Sequence, residues 1–100
     1  MTAKITIPQD EIAAFCERNH IRKLSLFGSI LGDDFRPDSD LDLLVEFEIY
    51  HVPGFIAFSN MRLELSEILG RQVDLRTPQS LSRYFRQDVE DHAEKIYSVN

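Results

Sequence analysis

Three acidic residues and one glycine–serine pair carry the chemistry legible in this 100-residue sequence. Asp40 and Asp42 open a run to Phe47 in which Leu41, Leu43, Val45 and Phe47 alternate with Asp40, Asp42, Leu44 and Glu46. Alternation at period two predicts a strand, on which residues two apart face one side with Cα atoms roughly 6.6 Å apart. Two carboxylates so placed can share a cation site, because paired catalytic metals sit only about 3.5–4 Å apart. Without a cation they oppose each other's ionisation, since like charges at short range raise each other's pKa. The donor type suits Mg²⁺, which takes one or two carboxylates, waters and phosphate oxygens in preference to an all-protein cage.

Upstream, Gly28-Ser29 follows the apolar run Ile21 to Phe27 and is separated from Asp40 by ten residues, Ile30 to Ser39. Glycine lets a backbone approach a ligand closely, and a short helix opening near Ile30-Leu31 would aim free N–H groups at phosphate. Ser29 adds a hydroxyl donor. At average composition this four-residue match at one spacing arises in about one 100-residue chain in a thousand. The loop segment Arg36-Pro37-Asp38-Ser39 is turn chemistry, so Asp38 reads as a turn former, while Arg36, between the phosphate turn and the acidic strand, reads either as a surface residue or as a cation in contact with phosphate. A third acid, Asp74, sits between Val73 and Leu75 in a short predicted strand, Gln72 to Arg76, and so points to the face opposite its neighbours.

These groups need a scaffold, and the pattern supplies one. A helix is expected from Pro8 to about Arg18 with Ile12, Phe15 and Cys16 on its apolar face, then a strand over 21–27 beginning with the solvated Arg22 and Lys23. A loop over 48–54 contains His51, read as an exposed residue with no second histidine nearby. Phe58, Met61, Leu65, Ile68 and Leu69 predict a helix over 55–69, closed by Gly70. Thr77-Pro78 suggests another helix start, and Phe85, Val89, His92, Ala93 and Ile96 predict a terminal helix, with His92 structural at its edge. The expectation is an α/β (α+β) domain, a small mixed β-sheet flanked by helices, with residues 1–100 as one unit. A net charge of −6, from 11 basic against 17 acidic residues, argues against nucleic-acid binding. Cys16, the single cysteine, reads as a buried inert thiol, and without an apolar leader or membrane-length run the chain is expected to be soluble and cytoplasmic.

Gly-Ser, ten residues, then Asp-x-Asp resembles the signature of the DNA polymerase β-like nucleotidyltransferases. The run from Phe27-Gly28-Ser29 to Asp40-Leu41-Asp42-Leu43-Leu44-Val45-Glu46-Phe47 resembles their minimal nucleotidyltransferase subfamily, as do Pro53-Gly54, Leu69-Gly70-Arg71, Val73-Asp74-Leu75 and Leu81 to Arg86. The resemblance implies a palm-like fold, two Mg²⁺ ions held by Asp40, Asp42 and Asp74, and a triphosphate gripped by Gly28 and Ser29 with Arg36 assisting. It further implies an antitoxin that moves AMP from ATP onto a hydroxyl, a tyrosine for preference, of a partner HEPN-domain ribonuclease toxin, within a hetero-oligomer. One departure is Gly32, near which related sequences often carry an arginine; Arg36 is the substitute at hand. Two other classes stay open: a small-molecule, aminoglycoside-type nucleotidyltransferase, and a catalytically silent antitoxin that blocks its partner by binding.

Overall fold

Apolar residues at strand and helix periods build two layers here, a sheet and the helices that cover one of its faces. The computed structural model describes residues 5–32, 36, 39–84 and 86–99, with Ser29 described by its backbone alone; the turn-forming reading of Asp38 and the helical placement of Phe85 lie outside these residues. Helices α1 (Gln9–Arg18), α2 (Phe55–Leu69) and α3 (Arg86–His92) accompany strands β1 (Ile21–Phe27), β2 (Leu41–Phe47), β3 (Val73–Arg76) and β4 (Glu94–Ser98). The sheet order is β3-β2-β1-β4, with β2 and β3 parallel and both other pairs antiparallel.

The register explains why one face is core and the other is not. Leu26 of β1 lies opposite Leu43 of β2, which lies opposite Leu75 of β3, and Leu41 lies opposite Val73. These five residues belong to one cluster with Ile12, Phe15 and Cys16 of α1 and Met61 and Leu65 of α2. Side chains one position along each strand point the other way, and form rows of different character: Phe27, Asp42, Asp74, then Ser25, Leu44, Arg76. The second row is partly roofed, since Leu44 and Ser25 are buried and the 3₁₀ turn Pro78–Ser80 lies against β2. Asp42 remains accessible beside it.

Helix ends follow the expected punctuation. Gly70 caps α2 with φ 71°, the left-handed conformation that glycine adopts without a Cβ penalty, and its N–H donates to the Ser66 carbonyl. The Ser66 hydroxyl also accepts from the Val73 N–H at 3.1 Å, tying the helix end to β3. Cys16 is buried, and burial pushes its thiol up to about 12, so it is inert as expected.

Four expectations fail. The segment after Gly28 is a 3₁₀ turn, Gly28–Leu31, and too short to act as a helix dipole. The long terminal helix does not form: α3 spans seven residues, none buried, and residues 94–98 become β4 on the free edge of β1. The 3.6-residue period through Val89, His92, Ala93 and Ile96 coincides with β-prone Ile96 and Tyr97, and the unpaired edge of β1 decides in favour of a strand. His92 is exposed and ion-paired with Asp88 at 3.4 Å, so it is not a core residue. Finally, His51 is not alone, because His20 stacks on it.

The layer assignment is testable by truncation. Leu43→Ala, in the central strand, should cost about 2–5 kcal/mol, the usual range for a fully buried leucine, whereas Leu63→Ala on the open side of α2 should change stability by about 0.5 kcal/mol or less. Urea unfolding of the two variants measures both.

Candidate active site

Backbone pairing, rather than side-chain attraction, assembles the acidic site. The Leu41 N–H donates to the Gln72 carbonyl at 2.8 Å, which sets the parallel register and places Asp42 directly opposite Asp74. On its other side Asp42 faces Phe27, the last residue of β1, so the next residue, Gly28, turns directly over it. Gly28 has φ +80°, and a Cβ there would stand 3.2 Å from the Asp42 Cβ with the carboxylate closer still. Glycine is therefore required twice, for the backbone angle and for the space.

The electrostatics follow from this crowding. Burial pushes the Asp42 carboxyl above its ordinary range, and the neighbouring Asp74 and Asp40 charges push the same way, while Arg76 partly offsets them. Its protonated form also gains a hydrogen bond to Asp74. Arg76 pairs with Asp74 at 3.2 Å, and the pair is half exposed. Asp40 lies just before β2, at the surface. Arg71 Nη1 sits 3.3 Å from the carbonyls of both Arg36 and Ser39, and so holds the chain leading to Asp40. Arg36 itself is part of a tight turn, with its N–H on the Ser39 hydroxyl at 3.0 Å and the Ser39 N–H returned to its carbonyl, and its side chain is at the surface. The Ser29 hydroxyl lies outside the described residues.

Beside the Gly28 turn opens a cleft of about 610 Å³ lined by Phe27, Gly28, Leu31 and Gly32 on one side and Asp88, Val89 and His92 of α3 on the other. That volume and an apolar lining with a few polar groups are usual for small-ligand sites. Two contributors escaped sequence reasoning. Arg76 was signalled by the Asp74-Leu75-Arg76 alternation, which puts it on the face of Asp74; the α3 wall had no such signal, because its residues were read as a core stripe.

The mixed sheet thus presents paired carboxylates beside a glycine turn and a ligand-sized cleft. The chain belongs to the nucleotidyltransferase domain family, whose model matches residues 10–96. It is 37% identical over 65 residues to the protein adenylyltransferase MntA of Thermococcus cleftensis, an alignment that covers 65% of this chain and 64% of that protein. Thus the chain spans a little under two thirds of that relative's length. Among solved structures, a chain described as a candidate minimal nucleotidyltransferase is 30% identical with a TM-score of 0.69, covering 85% of each chain. A chain from the complex of tri-AMPylated Shewanella oneidensis HEPN toxin with MNT antitoxin shares the fold, with a TM-score of 0.65, 22% identity, and coverage of 91% of this chain and 70% of that one. The α+β class expected from the sequence is the one observed.

Crowding of the acids predicts an unusual stability effect. Asparagine at 42 keeps a donor for Asp74 and removes a charge whose ionisation folding opposes. In metal-free buffer at pH 7, Asp42→Asn should melt a few degrees above the wild type. A raised native pKa means that the wild type binds its proton more tightly when folded, so its handicap is complete above the native pKa and fades as pH falls through that value toward about 4. Thermal melts at a series of pH values should show the two curves converging on the acid side.

Proposed function

We propose that this protein transfers AMP from ATP to a hydroxyl, preferentially of tyrosine, on a partner HEPN-type ribonuclease toxin and thereby neutralises it. The observation that carries the reading is the Asp42–Asp74 pair, with Asp42 packed against the Gly28 turn that itself lines the cleft. The name of the Thermococcus relative and the AMPylated toxin of the Shewanella complex support the choice of AMP and of a protein acceptor. Further support comes from Ile49, Tyr50, Val52, Phe55 and Ile56, large apolar side chains exposed in sequence succession, since exposed apolar patches mark protein-contact surfaces.

The donor set fits Mg²⁺. Asp40, Asp42 and Asp74 offer only hard carboxylate oxygens, and Asp42 is held where its own neighbours disfavour its charge. When bound, two Mg²⁺ ions would neutralise the triphosphate and lower the pKa of the acceptor hydroxyl. The chain's own residues do the rest. Gly28 admits the triphosphate against bare backbone, the Ser29 hydroxyl donates to a phosphate oxygen, and Phe27, Leu31 and Val89 offer the nucleoside an apolar wall. Asp74 receives the proton of the acceptor hydroxyl, whose oxygen forms the new bond to the α-phosphorus as pyrophosphate departs. Arg76, and Arg36 from the loop, face the charge that develops on the phosphates, a role in which fixed cations act with little reorganisation. Arg36 thereby answers for the glycine at position 32. Consumption of cellular ATP places the reaction in the cytoplasm, and no helix among the described residues is long and apolar enough to cross a membrane.

The reading predicts that a co-purified toxin gains one or more AMP units in intact-mass measurements after incubation with ATP and Mg²⁺. Asp42→Asn should abolish the increment and leave the ribonuclease active. Silencing of the toxin by Asp42→Asn without any increment would identify a binding antitoxin instead. Ser29→Ala should weaken nucleotide binding by about 1.5–3 kcal/mol, the worth of a hydrogen bond to a charged group, as measured by calorimetry.

A further inference from the structure

A second constellation of metal-ligating side chains lies at the opposite end of the sheet. His20 immediately precedes Ile21, which pairs with Phe47, whereas the acidic site begins where Phe27 pairs with Asp42. Six strand residues separate the two, roughly 20 Å at 3.3 Å per residue. There, one ligand atom each from His20, Glu48 and His51 lie within 4.8 Å of one another. Among the described residues this is the one such triad already gathered. It is independent of Asp42 and of the transferase reading.

The backbone fixes the three positions. The Glu48 N–H donates to the His20 carbonyl at 2.9 Å, and the His51 N–H donates to the Glu48 carbonyl at 3.0 Å, so each ligand-bearing residue is tied to the next. Two described non-glycine residues adopt positive φ, His20 at 55° and Tyr50 at 69°, and both belong to this junction. Left-handed backbone at a bulky residue is strained and persists only where surroundings impose it. The imidazoles are stacked with centroids 3.9 Å apart and planes 17° apart. The side chains have room to move, since both histidines are exposed and Glu48 is half-buried.

We infer that His20, Glu48 and His51 form a site for a zinc-like divalent transition-metal ion that clips the β2–α2 loop to the end of α1. Two imidazole nitrogens and one carboxylate are a borderline donor set suited to Zn²⁺ and its neighbours, whereas the all-carboxylate site at the other end suits Mg²⁺. Ligand type therefore sorts the two classes of ion between the two ends of one small sheet. Tetrahedral Zn²⁺ at about 2.0–2.1 Å from each ligand needs donors roughly 3.3 Å apart. Closing from within 4.8 Å requires side-chain rotation that splays the stacked rings toward one centre. Three protein ligands leave the fourth position to water. The ion would fix the loop that carries the exposed Ile49, Tyr50 and Val52 and leads to the exposed Phe55 and Ile56.

The test uses the full chain, without a polyhistidine tag and stripped of metal, titrated calorimetrically with Zn²⁺ in parallel with nitrogen-15 spectra of the histidine side chains. One equivalent should bind, with the His20 and His51 resonances shifting and those of His92 unmoved, and the melting temperature should rise. His20→Asn, which keeps a residue tolerant of positive φ, and His51→Ala should each weaken binding by more than about tenfold, since loss of even an outer-shell partner costs about 10–100-fold. Asp42→Asn should bind Zn²⁺ within about twofold of wild type. No one-to-one binding, or binding unchanged in His20→Asn and His51→Ala, overturns the site; so does loss of the zinc equivalent in Asp42→Asn, which would put the ion at the acidic end.

Discussion

Parallel pairing of β2 with β3 forces two carboxylates into one row, and most of the remaining structure can be understood as making that tolerable. Asp42 and Asp74 are opposed by register, not by mutual attraction, and a third acid, Asp40, precedes Asp42 by two residues. Left in water, such groups would separate. Here the apolar layer on the other face, Leu41, Leu43, Leu75 and Val73, holds the strands in place, so the sheet cannot relax the repulsion by shifting register without turning leucines to solvent. Arg76 relieves part of the strain from within the same strand, and it does so at a half-exposed site where a pair contributes little to stability. On the proposed function, a ligand carrying cations offsets the rest.

The two faces of the sheet therefore have different tasks. One is closed by α1 and α2 and supplies cohesion; the other is partly roofed by the Pro78–Ser80 turn and carries the paired acids. Between them sits Gly28, whose positive φ and missing Cβ let the chain turn over Asp42 without filling the space a phosphate would need. The cleft wall contributed by α3 has no buried residues of its own, so this wall is the part of the site least anchored to the core.

Much of this was legible in the sequence because the signals were local. Period-two alternation located β2 and β3, the glycine at 70 closed α2, and Asp74 between two apolar residues declared its face. What was not legible depended on partners distant in the chain. Ile96 and Tyr97 became a strand because β1 offers an open edge, a fact that no window around them contains. His20 and His51 lie 31 residues apart in sequence and meet only because β1 and β2 are antiparallel neighbours whose ends carry them together. Arg76 could have been read from its alternation with Asp74, which already placed both on one face.

The central claim is that the Asp42–Asp74 row is completed by a metal–nucleotide complex. Thermal melting with a non-hydrolysable ATP analogue, in the presence and absence of Mg²⁺, tests it directly. The account predicts a rise in wild-type melting temperature that needs Mg²⁺ and analogue together and is absent from Asp42→Asn. An equal rise in both proteins, or none in the wild type, would contradict it.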